Sequence, residues 1–120
     1  MQRMLFLISK GFEKSGGATR AMQFAGLAAE SGAPTEVALI DDAIHWAQLG
    51  MAEGIRSTTG EHMKEMIEKL TSAGGTLHVC KACADKRYVG PDDIVTGARI
   101  SSGPEIVALM TDPEIKVLSF

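Results

Sequence analysis

Short apolar runs alternate along this chain with segments whose apolar residues recur every three or four positions. Met4 to Ile8 is a continuous apolar run, the pattern of a strand covered on both faces. Gly11 and Gly16-Gly17 then loosen the chain, with Ser15 available as a cap. From Ala18 to Ser31, Ala21, Met22, Ala25, Ala28 and Ala29 fall at helical spacing, and Gly32 followed by Pro34 stops the helix. Glu36 to Ile40 predicts a second buried strand, closed by Asp41-Asp42.

Residues 42–56 read as a short helix plus loop, because Ala43 to Ala47 suits a helical turn while Gly50 and Gly54 break any long element. Thr58 or Thr59 is then placed to cap a helix, with Glu61 near its third position. Met63, Met66, Ile67 and Leu70 share one face of that helix, Glu65 and Lys69 form an i, i+4 pair, and Gly74-Gly75 ends it. Thr76 to Cys80 is the third strand, followed by a helical turn over 81–88 and another opened by Pro91-Asp92-Asp93, with Gly97 at its exit. Ala98 to Ser101 is a short fourth strand. Ser102 caps a last helix with Pro104 in its first turn and Ile106, Val107 and Met110 facing inward, and Ile115 to Phe120 is a fifth strand. Strands alternating with helices imply an α/β fold of three α/β/α layers: an open, mainly parallel sheet of about five strands, helices on both sides.

Composition narrows the function classes. At 120 residues the chain is a single domain, residues 1–120, and 45% apolar with 22% charged residues is ordinary for a soluble globular protein. A net charge of −3, from 12 Lys+Arg against 15 Asp+Glu, offers no basic field for nucleic acid, and 5% aromatic residues leave few stacking platforms. No run is long enough to span a bilayer, and the apolar stretch at the start is too short for a signal-peptide core and lacks a cleavage pattern. A cytoplasmic protein is expected, in which two cysteines are more often catalytic, redox-active or metal-binding than a structural staple.

Those cysteines are the candidate chemistry. Cys80 ends the third strand, and in a parallel sheet the carboxyl end of a strand faces the ligand crevice. Cys83 follows within one turn, so the two sulfurs can meet in a disulfide, and Lys81, Lys86 and Arg87 lie close by. Lowering a thiol pKa from about 8.5 to about 7 is worth roughly 2 kcal/mol and brings about half of it to thiolate at pH 7. The bland alternative is a buried cysteine acting as a small hydrophobe. A thioredoxin-like motif would follow an early strand and open a long helix, whereas here Tyr88 to Pro91 interrupts. A structural zinc site needs four ligands, and His45, His62 and His78 show no paired spacing, so neither a metal nor a cofactor is expected. His78 reads as a strand-face residue rather than a base, Asp85 as the partner of a neighbouring cation, and Trp46 as either core or a subunit contact. The Gly11 to Gly17 loop lacks the endings of phosphate and dinucleotide loops and reads as a plain connection that can line the same crevice.

Taken in order, these pieces resemble the DsrE/DsrF-like family of small sulfur-handling proteins nearly end to end. The resemblance is carried by the first strand and its glycine-containing loop, the Ala-rich helix closed by Gly32, and the Asp42-Ala43 to Gly50 segment. Cys80 after Gly75, Arg87 and the terminal Lys116-Val117-Leu118-Ser119-Phe120 complete it. It implies a three-layer fold, assembly into homotrimers or hexamers, and a strand-end cysteine, here Cys80, that carries sulfane sulfur as a persulfide between donor and acceptor proteins or small thiols. Two departures stand out: many relatives have Arg-Gly where this chain has Arg87-Tyr88, and relay subunits often carry one cysteine where this chain adds Cys83. The leading expectation is a sulfur carrier or sulfurtransferase with Cys80 and Cys83 as reacting sulfurs and Lys81 and Arg87 stabilising anionic sulfur. The alternatives are a non-catalytic oligomeric subunit that binds a small ligand or partner, and a thiol–disulfide oxidoreductase using both cysteines.

Overall fold

The computed structural model describes residues 1–120. Five strands form one sheet: β1 (Arg3–Ile8), β2 (Thr35–Leu39), β3 (Thr76–Cys80), β4 (Ala98–Ser101) and β5 (Ile115–Ser119). They run in the order β4-β3-β2-β1-β5, and every pairing is parallel. Four α-helices connect or follow them: α1 (Ser15–Glu30), α2 (Met63–Ser72), α3 (Lys81–Lys86) and α4 (Gly103–Thr111). Parallel crossovers are right-handed, so the steps from β1 to β3 place their helices on one face, and the reverse step from β4 to β5 places α4 on the other. The three-layer architecture predicted from the sequence is the one observed.

The layers are unequal. Phe6, Ile8, Val37, Leu39, Leu77 and Val79 point to the α1/α2 side, where they join a cluster of 22 buried residues. The other side holds a cluster of only four, Leu5, Ala38, Ile106 and Ile115, beneath α4. Period-two alternation sorts adjacent residues of one strand onto opposite faces, and the same alternation turns Glu36, His78 and Ser101 toward the thinner α4 side.

Several local expectations are corrected. Ser15 is the first residue of α1, not its cap, because a 3₁₀ turn over Phe12–Lys14 leads straight into the helix; the Ser15 carbonyl instead accepts from the Thr19 hydroxyl. Neither Thr58 nor Thr59 caps α2. The bridge between Arg56 and His62 holds that stretch as a turn, and α2 begins at Met63 with no side-chain cap. Lys69 lies near Glu30 and Glu61, at 3.8 and 3.6 Å, rather than Glu65. On α4, Ile106 is buried as expected, whereas Val107 and Met110 are 51% and 37% exposed, and Leu109 takes the inner position. Ser102 does cap α4: its hydroxyl accepts from the Glu105 N–H while the Glu105 carboxylate accepts from the Ser102 N–H. Trp46 is fully buried in a 3₁₀ segment over Asp41–Ala47, which assigns it to the core.

Candidate functional site

Three chain segments meet at the carboxyl ends of β1, β2 and β3. The loop after β1 is tied to the loop after β2 by the Trp46 indole N–H, which donates to the Lys10 carbonyl at 2.8 Å, and by Phe12, whose ring meets Trp46 edge-on with centroids 4.6 Å apart. Gly11 is obligatory there. A Cβ on it would lie 2.7 Å from the Asp42 carbonyl oxygen, closer than non-bonded atoms approach.

This contact fixes Asp41 and Asp42 beside the third strand end. Asp41 adopts a left-handed backbone with φ 49°, which few non-glycine residues tolerate without a compensating contact. The conformation aims its N–H at Cys83, donating to Sγ at 3.1 Å, and the Asp41 carboxylate oxygen lies 3.9 Å from the same sulfur. Asp42 in turn receives the Arg87 guanidinium on one oxygen, at 2.8 Å from Nη2 and 3.3 Å from Nε. Arg87 Nη1 also donates to the Cys83 carbonyl at 3.1 Å, so a single guanidinium clamps α3 to the end of β2.

Cys80 is the last residue of β3 and immediately precedes α3; Cys83 lies in its first turn, and both thiols are free and partly buried. Cys80 touches the clusters on both faces of the sheet. Burial pushes the Cys83 thiol above its ordinary range; the Asp41 N–H opposes this, while the neighbouring Cys80 and the Asp41 carboxylate push further up. Cys83 is thereby a protonated thiol at neutral pH. Arg87 holds Asp42 below the usual carboxylate range, and Asp42 raises Arg87 in return.

The fold brings Cys80, Cys83 and Arg87 together and leaves Lys81 outside the group. Lys81 Nζ is 2.7 Å from Asp85 on the exposed side of α3, the cation partner expected for Asp85. The first hydrogen bonds of both cations thus go to carboxylates, Lys81 to Asp85 and Arg87 to Asp42. Asp41 and Asp42 are the site residues that the sequence reading left without a role; an acidic pair directly after an apolar strand was their only signal. No three His, Cys, Asp or Glu side chains converge as a metal site. The clefts of the surface lie elsewhere: one of about 260 Å³ between Leu49, Ala52, Ile67 and Val95, and a polar one around Glu53, His62 and Glu65.

The chain leaves α3 through Tyr88, left-handed at φ 58° and 94% exposed, and the Val89 N–H that follows donates to the Ala84 carbonyl at 2.9 Å. Helices usually end this way on glycine. A strained, exposed tyrosine thus stands next to the residue that clamps the site.

The fold is an all-parallel α/β/α domain with one free thiol at the end of an inner strand and a second in the helical turn that follows it. The sequence matches the DsrE/DsrF-like family over residues 2–120, and the chain belongs to that family. Two solved structures share the fold over the full length of both chains. The crystal structure of the YchN protein from E. coli superposes with a TM-score of 0.85 at 22% identity. A protein of unknown function from Methanobacterium thermoautotrophicum, MTH1491, does so with 0.73 at 16%. At those identities the likeness speaks for the fold alone. No curated protein matches the chain.

Proposed function

We propose that this protein is a cytoplasmic sulfur carrier, sulfurtransferase-like in its chemistry, that relays sulfane sulfur as a persulfide on Cys80. The observation that carries the reading is the position of Cys80: a free, partly exposed thiol at the carboxyl end of an inner strand, in a chain of the DsrE/DsrF-like family. The Cys80 thiolate attacks the outer sulfur of a donor persulfide; a new S–S bond forms, the donor S–S bond breaks, and the donor leaves as thiolate. An acceptor thiolate then takes the outer sulfur by the same displacement.

Cys83 sets the second half of the reading. Its thiol, kept protonated by burial, does not compete as the attacking group at rest. Once Cys80 carries sulfur, Cys83 has two balanced routes. Attack on the outer sulfur passes the persulfide to Cys83; attack on Cys80 Sγ forms the Cys80–Cys83 disulfide and expels hydrosulfide. The closeness of the two thiols also favours a second reading, a dithiol oxidoreductase, which requires a reversible Cys80–Cys83 couple at a physiological potential. Homo-oligomeric assembly belongs to the same proposal, supported by Val107 and Met110 on α4 and Val117 on β5 standing partly exposed.

Intact-mass measurement after incubation with a sulfane donor tests the carrier. One added sulfur atom is expected on Cys83→Ser and none on Cys80→Ala, while the wild type gains one sulfur or, where Cys83 has expelled hydrosulfide, loses two hydrogens as the disulfide. A Cys83→Ser variant that gains no sulfur, or a Cys80→Ala variant that still gains it, overturns the reading. Activity that depends on Cys83 while loading on Cys80 survives its loss points to the oxidoreductase.

A further inference from the structure

His78 is the one histidine in the core, 6% exposed, and both of its ring nitrogens are engaged. Nε2 lies 2.7 Å from Glu36 Oε1 on β2, and Nδ1 lies 2.7 Å from the Ser101 hydroxyl on β4, which is itself fully buried. A carboxylate only accepts hydrogen bonds, so the Glu36 contact assigns the proton of a neutral imidazole to Nε2. Nδ1 is then the acceptor, and the Ser101 hydroxyl donates to it. The direction of the chain is fixed: carboxylate, imidazole, hydroxyl.

Ser101 is also the residue paired with Cys80 across the β3–β4 ladder. Adjacent strands run about 4.8 Å apart, and residues in register share a face, so Cys80 is the across-strand neighbour of the serine that His78 holds, with no hydrogen bond between Sγ and Oγ at rest. Cys80 touches the α4-side cluster, the layer in which Ser101 is buried. We propose that Glu36, His78 and Ser101 form a proton relay for Cys80, with His78 a positioning residue that acts through the Ser101 hydroxyl.

The relay moves one proton. As Cys80 ionises, rotation about its χ1 brings Sγ onto Ser101 Oγ, its proton passes to that oxygen and the Ser101 hydroxyl proton passes to His78 Nδ1. The product is a Cys80 thiolate and an imidazolium held by Glu36, with the serine hydroxyl now donating to the sulfur. The same hydroxyl is then oriented to donate to an anionic persulfide. The charged groups around His78 come from each neighbouring element: Glu36 on β2, Cys80 two residues on along β3, Arg99 opposite it on β4, and Glu105 on α4. Arg99 Nη2 is bonded to Glu105 Oε2 at 2.6 Å, which keeps that guanidinium occupied.

A purely structural role, pinning the register of β2, β3 and β4, predicts lost stability and no pH signature; the relay predicts both a pH signature and a reciprocal effect of Cys80 on His78. It presupposes Cys80 as the reacting sulfur of the proposed carrier, yet alkylation needs no sulfane donor, so the two readings fail separately. The test follows alkylation of Cys80 by iodoacetamide in the Cys83→Ser background across pH. Loss of one hydrogen bond to an anion is expected to slow His78→Gln and Ser101→Ala about tenfold near pH 6, with near-parity around pH 9 where imidazole is neutral. In the wild-type protein, blocking Cys80 is expected to lower the midpoint of the His78 imidazole titration followed by NMR, because coupling is reciprocal. That arm decides the matter should the variants not fold. Rate profiles of one shape in all three proteins, or a His78 titration indifferent to Cys80, overturns the relay; failed sulfur loading with an intact profile overturns the carrier instead.

Discussion

Residue by residue, the site is held by contacts that admit almost no substitution at some positions and tolerate relief at others. A methyl group on Gly11 meets the backbone of Asp42, which cannot swing aside like a side-chain tip. Gly11→Ala is expected to cost on the order of 1–3 kcal/mol in urea unfolding. By displacing Asp42 and with it the Asp41 N–H, it should also speed alkylation of Cys83. Tyr88 is the opposite case. Its left-handed backbone carries strain that no side-chain burial offsets, so Tyr88→Gly is expected to stabilise the protein by about 1 kcal/mol and leave sulfur loading on Cys80 unchanged, read by the same denaturant curve and by intact mass. Cys80 and Cys83 were legible as candidates because their spacing is visible in one dimension. The Asp41 and Asp42 contacts were not, since a left-handed backbone and a cross-loop hydrogen bond depend on which strand ends become neighbours.

At the scale of elements, strands and long helices were readable, and their edges were not. Continuous apolar runs located β1, β2 and β3 to within a residue, and the methionine stripe of α2 is core as its spacing required. Capping failed at Thr58 and Thr59 because a bridge between Arg56 and His62 outcompeted the helix for those residues. It succeeded at Ser102, where glutamate three residues on reciprocates the hydrogen bond. Ser102→Ala is accordingly expected to lower stability by about 1 kcal/mol, measured by thermal or urea unfolding. The inward face of α4 was misjudged because the sheet beneath it offers only a four-residue apolar cluster, too narrow to cover Val107 and Met110 as well as Ile106.

For the molecule as a whole, the parallel three-layer architecture followed from alternation of strands and helices, but the order of the strands and the inequality of the two layers did not, because they depend on which crossovers step backward through the sheet. Stability should respond to pH at both ends. Asp42, Glu61 and Glu105 are each held below their ordinary values, 3.8 for the aspartate and 4.5 for the glutamates, chiefly by Arg87, Gln23 and the Ser102 N–H. The unfolded chain binds protons more readily at these groups, so their contribution is present above those values and lost as pH falls through the lower folded ones. Cys83 is raised above its ordinary 9.0, so its contribution is present below that value and lost as pH rises through the higher folded one. A plateau in Tm is expected between about pH 5 and pH 9, with the alkaline decline reduced in Cys83→Ser.

Trp46 is the chain's single tryptophan, and it is bonded to the backbone of the loop after β1 while seated in the segment after β2. Light absorbed by this protein near the red edge of the protein band is therefore emitted from one known address, the junction that positions Asp41 and Asp42. Sulfur loading, alkylation or subunit docking that shifts this junction reports itself as a change in emission colour or anisotropy, with no label attached. The same ring that seals the core is a built-in reporter on the rim where the thiols stand.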